Sequence, residues 1–103
     1  MKRIKILARK NLKMSPGKLA AQAVHAALAL TSLEKLDPLQ SVVVLEVTDK
    51  KFNERVNGEG KLVVVRDAGY TEVAPGTITC LAFLEDDPRE AEAEDSAICA
   101  PVN

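Results

Sequence analysis

The order of apolar segments along this 103-residue chain predicts an α/β domain, with a small, mostly parallel four-stranded sheet and helices on its faces. Three observations carry that expectation. Strand-like and helix-like runs follow one another as strand, helix, strand, helix, strand, strand. Nearly half of the residues are apolar, yet Phe52, Tyr70 and Phe83 are the only aromatics. A core of Val, Leu, Ile and Ala suits helices packed on a sheet better than an all-β sandwich. The length is that of one small domain.

The first strand is predicted over 2–9, where Ile4, Ile6 and Ala8 alternate with Lys5, Leu7 and Arg9. Residues 11–14 turn into a helix over 16–33. Ser15 is a good N-cap, and Pro16 falls at the first helical position, where its missing N–H costs nothing. Ala21, Val24 and Leu28 read as the buried stripe of this helix. The β-branched run 41–48 predicts a well-buried second strand. Asp49 caps a short helix over 50–56, closed by Asn57-Gly58. Residues 61–66 form the third strand, Pro75-Gly76 signals a turn, and 77–84 form the fourth. Residues 1–84 make the folded domain, and 85–103 an acidic, alanine-rich tail of marginal order, with a short helix over 88–95 as the alternative.

The net charge of −1 hides an asymmetry. Residues 1–18 carry seven Lys or Arg and no acid, whereas 84–103 carry seven acids against Arg89. The basic start, Lys13 included, is compatible with a phosphate-backbone footprint, although charge alone favours the solvated edge of a strand and loop. Cys80 and Cys99, far apart in a chain without an apolar leader, read as free thiols of a reducing compartment, which predicts a cytoplasmic protein. One His and two Cys are too few for a metal site, and no apolar run reaches membrane-spanning length.

Lys18, Gln22 and His25 are spaced four and three apart, so they share a helix face. A lysine in the first turn opposes the helix dipole, a conflict that an anionic substrate there would resolve. Lys18 thus reads as a phosphate or oxyanion ligand, or as a plain surface lysine. His25, the only histidine, must carry any imidazole acid–base role, or it is a hydrogen-bonded packing residue. Asp67 ends the third strand before Ala68-Gly69, where a carboxylate positions a water, holds a lysine or closes an Asx turn. Parallel first and third strands would bring Lys18 and Asp67 to one crevice at the strands' carboxyl ends. Thr71, Thr77 and Thr79 are candidate donors to a substrate, with Thr77 beside Pro75-Gly76 favoured as a site edge. Gly17-Lys18 is not a nucleotide-triphosphate loop, because Leu12 and Leu19 stand where that pattern needs Gly and Ser or Thr.

Two blocks carry a resemblance. Lys13-Met14, Gly17-Lys18-Leu19-Ala20-Ala21-Gln22 and His25-Ala26 form the first, and the run from Arg66 to Thr77 the second. In this order they resemble the archaeal/eukaryotic-type (type II) peptidyl-tRNA hydrolases, over roughly residues 2–84. The resemblance implies a three-layer α/β/α fold with a small mixed sheet. It implies hydrolysis of the ester joining peptide to tRNA, with tRNA as the substrate-bearing partner and neither cofactor nor metal. Lys18, Gln22, His25, Asp67 and Thr71 match motif positions, and Thr77 lies in the same block. They imply a site in which Asp67 orients the attacking water and Lys18 steadies an oxyanion or phosphate. Gln22 and His25 place the ester and the terminal nucleotide, and Lys13, Thr71 and Thr77 contact substrate. The Lys18 charge should depress the Asp67 pKa. Homodimerisation occurs in the family, though no residue here demands it.

The chain departs from the family pattern at Ser15-Pro16, where a lysine and a glycine are common, at Tyr70 in place of Arg and at Glu72 in place of Gln. These changes remove positive charge near the site. Two alternatives therefore stand beside hydrolysis: a non-catalytic tRNA- or RNA-binding module on the same fold, and an interaction domain whose acidic tail meets a basic partner.

Overall fold

Alternating burial along Lys2–Arg9 forms β1, the strand on which the rest of the domain is hung. The computed structural model describes residues 2–36, 40–69 and 72–87. A single 3₁₀ turn, Lys10–Leu12, follows β1 and ends at Lys13, whose φ of 51° is left-handed. The chain continues through α1 (Pro16–Thr31), β2 (Val42–Val47), α2 (Asp49–Val56), β3 (Val63–Arg66) and β4 (Ile78–Asp86).

The strand order is β2-β1-β4-β3. β1 and β2 are parallel, from Ile4 opposite Val42 to Arg9 opposite Val47. β4 runs antiparallel to both β1 and β3. The sheet is therefore mixed, and the mostly parallel expectation is corrected. Residues 67–77 join β3 to β4 directly, and without a crossover between them the two strands must run in opposite directions. Two antiparallel pairings through β4 leave β1 and β3 parallel, so their carboxyl ends lie on one side of the domain.

Helices cover both faces. Ile4, Ile6, Ala8, Val65, Cys80 and Ala82 pack against Ala26 and Leu30 of α1. Leu7, Leu81 and Phe83 pack with Phe52 of α2 on the other side. The result is a three-layer α/β/α fold. Cys80 is fully buried in the α1 layer, and burial pushes its thiol up to about 11.

Three further expectations change. The buried residues of α1 are Gln22, Ala26 and Leu30, whereas Val24 and Leu28 are 57% and 60% exposed. β2 is an edge strand with Val42, Val44 and Leu45 half exposed, because α1 lies over β1, β4 and β3 instead. The N-cap of α2 is Thr48, whose hydroxyl accepts from the Lys51 N–H at 3.4 Å. Asp49 instead takes a paired contact from Arg9 at 3.0 and 3.2 Å, and that guanidinium holds its carboxyl below the usual range.

The charge asymmetry has a structural use. The β1–β4 register places Lys2 opposite Asp86 and Arg3 opposite Glu85. Arg3 and Lys5 pair with Glu85 at 3.0 and 3.4 Å, and Lys2 with Asp86 at 2.7 Å. The boundary expected at 84/85 thus falls inside β4, while the helix considered over 88–95 and Cys99 lie outside the described residues. Among the described residues, only Lys10 and Lys13 of the basic start make no ion pair.

Candidate active site

Ser15 and Pro16 fix where α1 begins, and that fixes Lys18. The Ser15 hydroxyl accepts from the Lys18 N–H at 3.3 Å, so the lysine is held in the first turn. Its side chain, only 11% exposed, donates from Nζ to Asp67 Oδ1. Asp67 is the first residue after β3, and its main chain is clamped on both sides. Its N–H donates to Thr77 O at 2.9 Å, and its carbonyl accepts from the Gly76 N–H at 2.7 Å.

The two carboxylate oxygens have different partners. Oδ2 accepts from the Gly69 N–H at 2.7 Å, which is the Asx turn foreseen for this position. Oδ1 accepts from Lys18 and, at 3.2 Å, from Gln22 Nε2. Two of the three readings of Asp67 are thus seen side by side, since it closes a turn and holds a lysine. The Lys18 hydrogen bond is the chief cause of an Asp67 pKa below the ordinary carboxylate value. Burial opposes it, and Gly69, the Lys18 charge and Gln22 add to it.

Gln22 is 4% exposed, and its Oε1 accepts from Thr79 Oγ1 at 2.6 Å. Thr79, fully buried on β4, thus sits behind Gln22 in one chain of hydrogen bonds: Thr79, Gln22, Asp67, Lys18. Sequence reasoning had favoured Thr77 over Thr79. The available signal was a polar residue inside an otherwise apolar strand, which when buried must find a partner.

A crevice of about 780 Å³ opens beside this chain of bonds, between α1 and β3. Lys18, Gln22, Asp67 and Glu72 border one end, while Ala29 and Val64 mark the other. His25 lines the crevice as an exposed side chain, and among the described residues nothing hydrogen-bonds to it. Thr77 holds Asp67 through its main chain and is not among the crevice residues. Lys13 is exposed on the turn before α1 and also stands outside the crevice. Thr71 lies outside the described residues.

Glu72 was missed as a contact. Its Oε1 accepts from the Ser15 N–H at 2.8 Å, and its Oε2 accepts from the Ser15 hydroxyl. The Ser15 hydroxyl, its N–H and the nearby Lys18 charge hold the Glu72 carboxyl below its ordinary range. Two departures from the family pattern, one in each block, are therefore bonded to each other.

Among the described residues no three His, Cys, Asp or Glu cluster as metal ligands, and no Ser, Thr or Cys borders the crevice. What stands ready is an ionised, oriented carboxylate beside an ammonium, on a three-layer α/β/α domain. A carboxylate and an ammonium so placed can orient a water and face a developing negative charge. Residues 3–93 match the family model for peptidyl-tRNA hydrolase PTH2. The chain is similar to the peptidyl-tRNA hydrolase of Haloquadratum walsbyi, 39% identical over 93 residues, covering 79% of this chain and 83% of that one. It is 42% identical over 92 residues to that of Methanopyrus kandleri, covering 76% and 79%. With that of Thermoplasma acidophilum it is 34% identical over 107 residues, covering 89% and 92%. The chain belongs to the peptidyl-tRNA hydrolase PTH2 family.

Proposed function

We propose that this chain hydrolyses the ester between the peptide and the tRNA of peptidyl-tRNA, with the Lys18–Asp67 pair as its catalytic centre. Family membership supports the reaction, and the single observation supporting the site is the Asp67 carboxylate held on one oxygen by Lys18 and Gln22 and on the other by Gly69.

A carboxylate with a lowered pKa is a weak base, so Asp67 orients the attacking water more than it strips its proton. The water oxygen bonds to the ester carbon, and negative charge develops on the former carbonyl oxygen. Lys18 spares one N–H for Asp67 and has two left to face that charge or a nearby phosphate. The C–O bond to the terminal ribose then breaks, and the ribose oxygen takes up the proton given up by the attacking water and leaves as a hydroxyl, while the peptide is released as a carboxylic acid. Gln22 has its amide oxygen on Thr79 and an amide N–H on Asp67, so we assign it to holding Asp67 rather than to gripping substrate. His25 borders the crevice where it would meet the ester or the terminal nucleotide. Lys10 and Lys13 stand on the turn before α1 as contacts for the tRNA backbone.

The non-catalytic binding module is not favoured, since its relatives are named as hydrolases and the carboxylate–ammonium pair is in place. As for the acidic tail, Glu85 and Asp86 already pair with β1. No described helix is long and apolar enough to cross a membrane. We take the cytoplasm, where tRNA is used, as the place of action, and a homodimer as the family's precedent.

The test is release of free tRNA from N-acetyl-aminoacyl-tRNA by wild type and by Asp67→Ala. Loss of about 10²–10⁴-fold in the variant is expected for a carboxylate that acts on the water. Equal release by both would overturn the site. Binding of tRNA without release by folded wild type would restore the binding module.

A further inference from the structure

The crevice is larger than its chemistry needs. An ester and one water occupy its charged end, yet about 780 Å³ is the volume of a site for a drug-sized ligand. The remainder runs away from Asp67 between α1 and β3, past His25 and Ala29 on the helix and Val65 and Val64 on the strand, and apart from His25 its walls are apolar. From Gln22 to Ala29 the helix advances about 10 Å, at ~1.5 Å per residue. Three residues of extended chain span about the same length, at ~3.3 Å each.

Val64 borders this space in an unusual way. Its side chain packs in the α2 layer with Leu7, Phe52, Leu81 and Phe83, on the opposite face of the sheet. It therefore meets the crevice through its main chain. β3 is the last strand of the sheet, paired only with β4 among the described residues, so its outer side offers a row of backbone donors and acceptors.

The two halves of peptidyl-tRNA differ in the same sense as the two ends of the crevice. Lys18 and Arg66 border the crevice at the Asp67 end, so a polyanion has no counter-charge among Ala29, Val64 and Val65, whereas a peptide finds both an apolar trough and a strand edge there. The peptide on a tRNA has no fixed sequence, and main-chain pairing is the one mode of recognition that ignores side chains.

We infer that the apolar half of the crevice holds about the last three residues of the substrate's peptide as an added strand on the outer edge of β3, paired main chain to main chain at Val64. The inference rests on the hydrolase reading above and deepens it. Binding energy gathered from the peptide, remote from the ester, lowers the barrier only through better placement of the ester at Asp67.

The experiment compares one tRNA bearing N-acetylated peptides of one, two and three residues, then the three-residue peptide with each backbone N–H methylated in turn. The expected result is a rise in kcat/KM of about tenfold from one residue to three, and loss of most of it on methylating one particular N–H. Ala29→Glu, which puts a charge in the trough, should bring the three-residue to one-residue ratio close to one. Equal kcat/KM at all three lengths would overturn the inference while leaving the hydrolase reading intact. A length effect that survives every methylation would overturn main-chain pairing. Absence of hydrolysis of every substrate by folded wild type would sink the hydrolase reading and this inference with it.

Discussion

Thr79 Oγ1 donates to Gln22 Oε1 at 2.6 Å, across 57 residues of sequence, and that bond decides which end of the Gln22 amide faces Asp67. With the oxygen occupied by Thr79, the nitrogen is left to donate to the carboxylate at 3.2 Å. Thr79→Val keeps the shape and removes the hydroxyl. Gln22 Oε1 is then buried without a donor, at a cost of about 1–3 kcal/mol in stability. The amide is freed to turn and Asp67 loses a positioning contact, so turnover should fall about tenfold. Thr79→Ser should retain most of both. Urea unfolding and the tRNA-release assay check the pair. Wild-type turnover in Thr79→Val would show that Gln22 is held by other means.

Asp67 sets a pH dependence whose sign follows from its partners. Lys18, Gly69 and Gln22 favour its charged form in the folded chain, so its folded pKa lies below its unfolded value. The resulting stability is present above the ordinary carboxylate pKa of about 3.9 and is lost as pH falls through the lower folded value. The urea midpoint of wild type should therefore exceed that of Asp67→Asn near neutrality, and the gap should close at the acid end. In ¹³C NMR the Asp67 carboxyl should titrate below the ordinary range, and in Lys18→Ala it should move upward. An Asp67 that titrates at or above the ordinary value in wild type would contradict the assignment.

Local signals in the sequence were legible, and long-range ones were not. Ser15-Pro16 marks the start of α1 because capping involves only the first turn, and Lys18 follows from that start. The SVVVLEVT run around β2 specifies a strand, but nothing in it says that the strand lies at the sheet edge. The face of α1 was misread because alanines surround the helix. The stripe with Val24 and Leu28 is more hydrophobic than the one containing Gln22, yet Gln22 is buried, since Thr79 and Asp67 satisfy its amide. The antiparallel run of β4 depends on how residues 67–77 turn. At the site, Lys18 and Asp67 were legible from a helix start and a strand end. Thr79 and Glu72 were not, because each acts through a partner 57 residues away.

Gly69 is needed where it stands. Its φ is +83°, and a Cβ there would lie 2.5 Å from Pro75 Cγ and 2.6 Å from Pro75 N. Gly69→Ala combines left-handed strain of about 1–2 kcal/mol with a backbone clash that relaxes only if the loop shifts. That shift moves the N–H that holds Asp67 Oδ2 at 2.7 Å. The variant should lose stability and turnover together, by about 2–4 kcal/mol in unfolding and tenfold or more in tRNA release. A variant as stable as wild type would show that the turn tolerates a side chain.

Glu72 places a negative charge beside Lys18 at the start of α1, where substrate phosphate or an oxyanion should gather. It also satisfies Ser15, so its charge and its hydrogen bonds have to be separated. Glu72→Gln does this, because the amide oxygen still accepts from the Ser15 N–H and the amide nitrogen can donate to the Ser15 hydroxyl. With one repulsive charge gone, tRNA should bind about two- to fivefold more tightly at low salt, and the advantage should shrink as the Debye length falls to about 3 Å near 1 M. Glu72→Ala removes both the charge and the acceptors. It should bind tRNA as tightly as Glu72→Gln but unfold more readily, since the Ser15 N–H then loses its partner. Filter binding across a salt series, paired with thermal unfolding, separates the two effects. Equal tRNA affinity for wild type and Glu72→Gln at low salt would mean that this carboxylate serves only to fasten its loop to the head of α1.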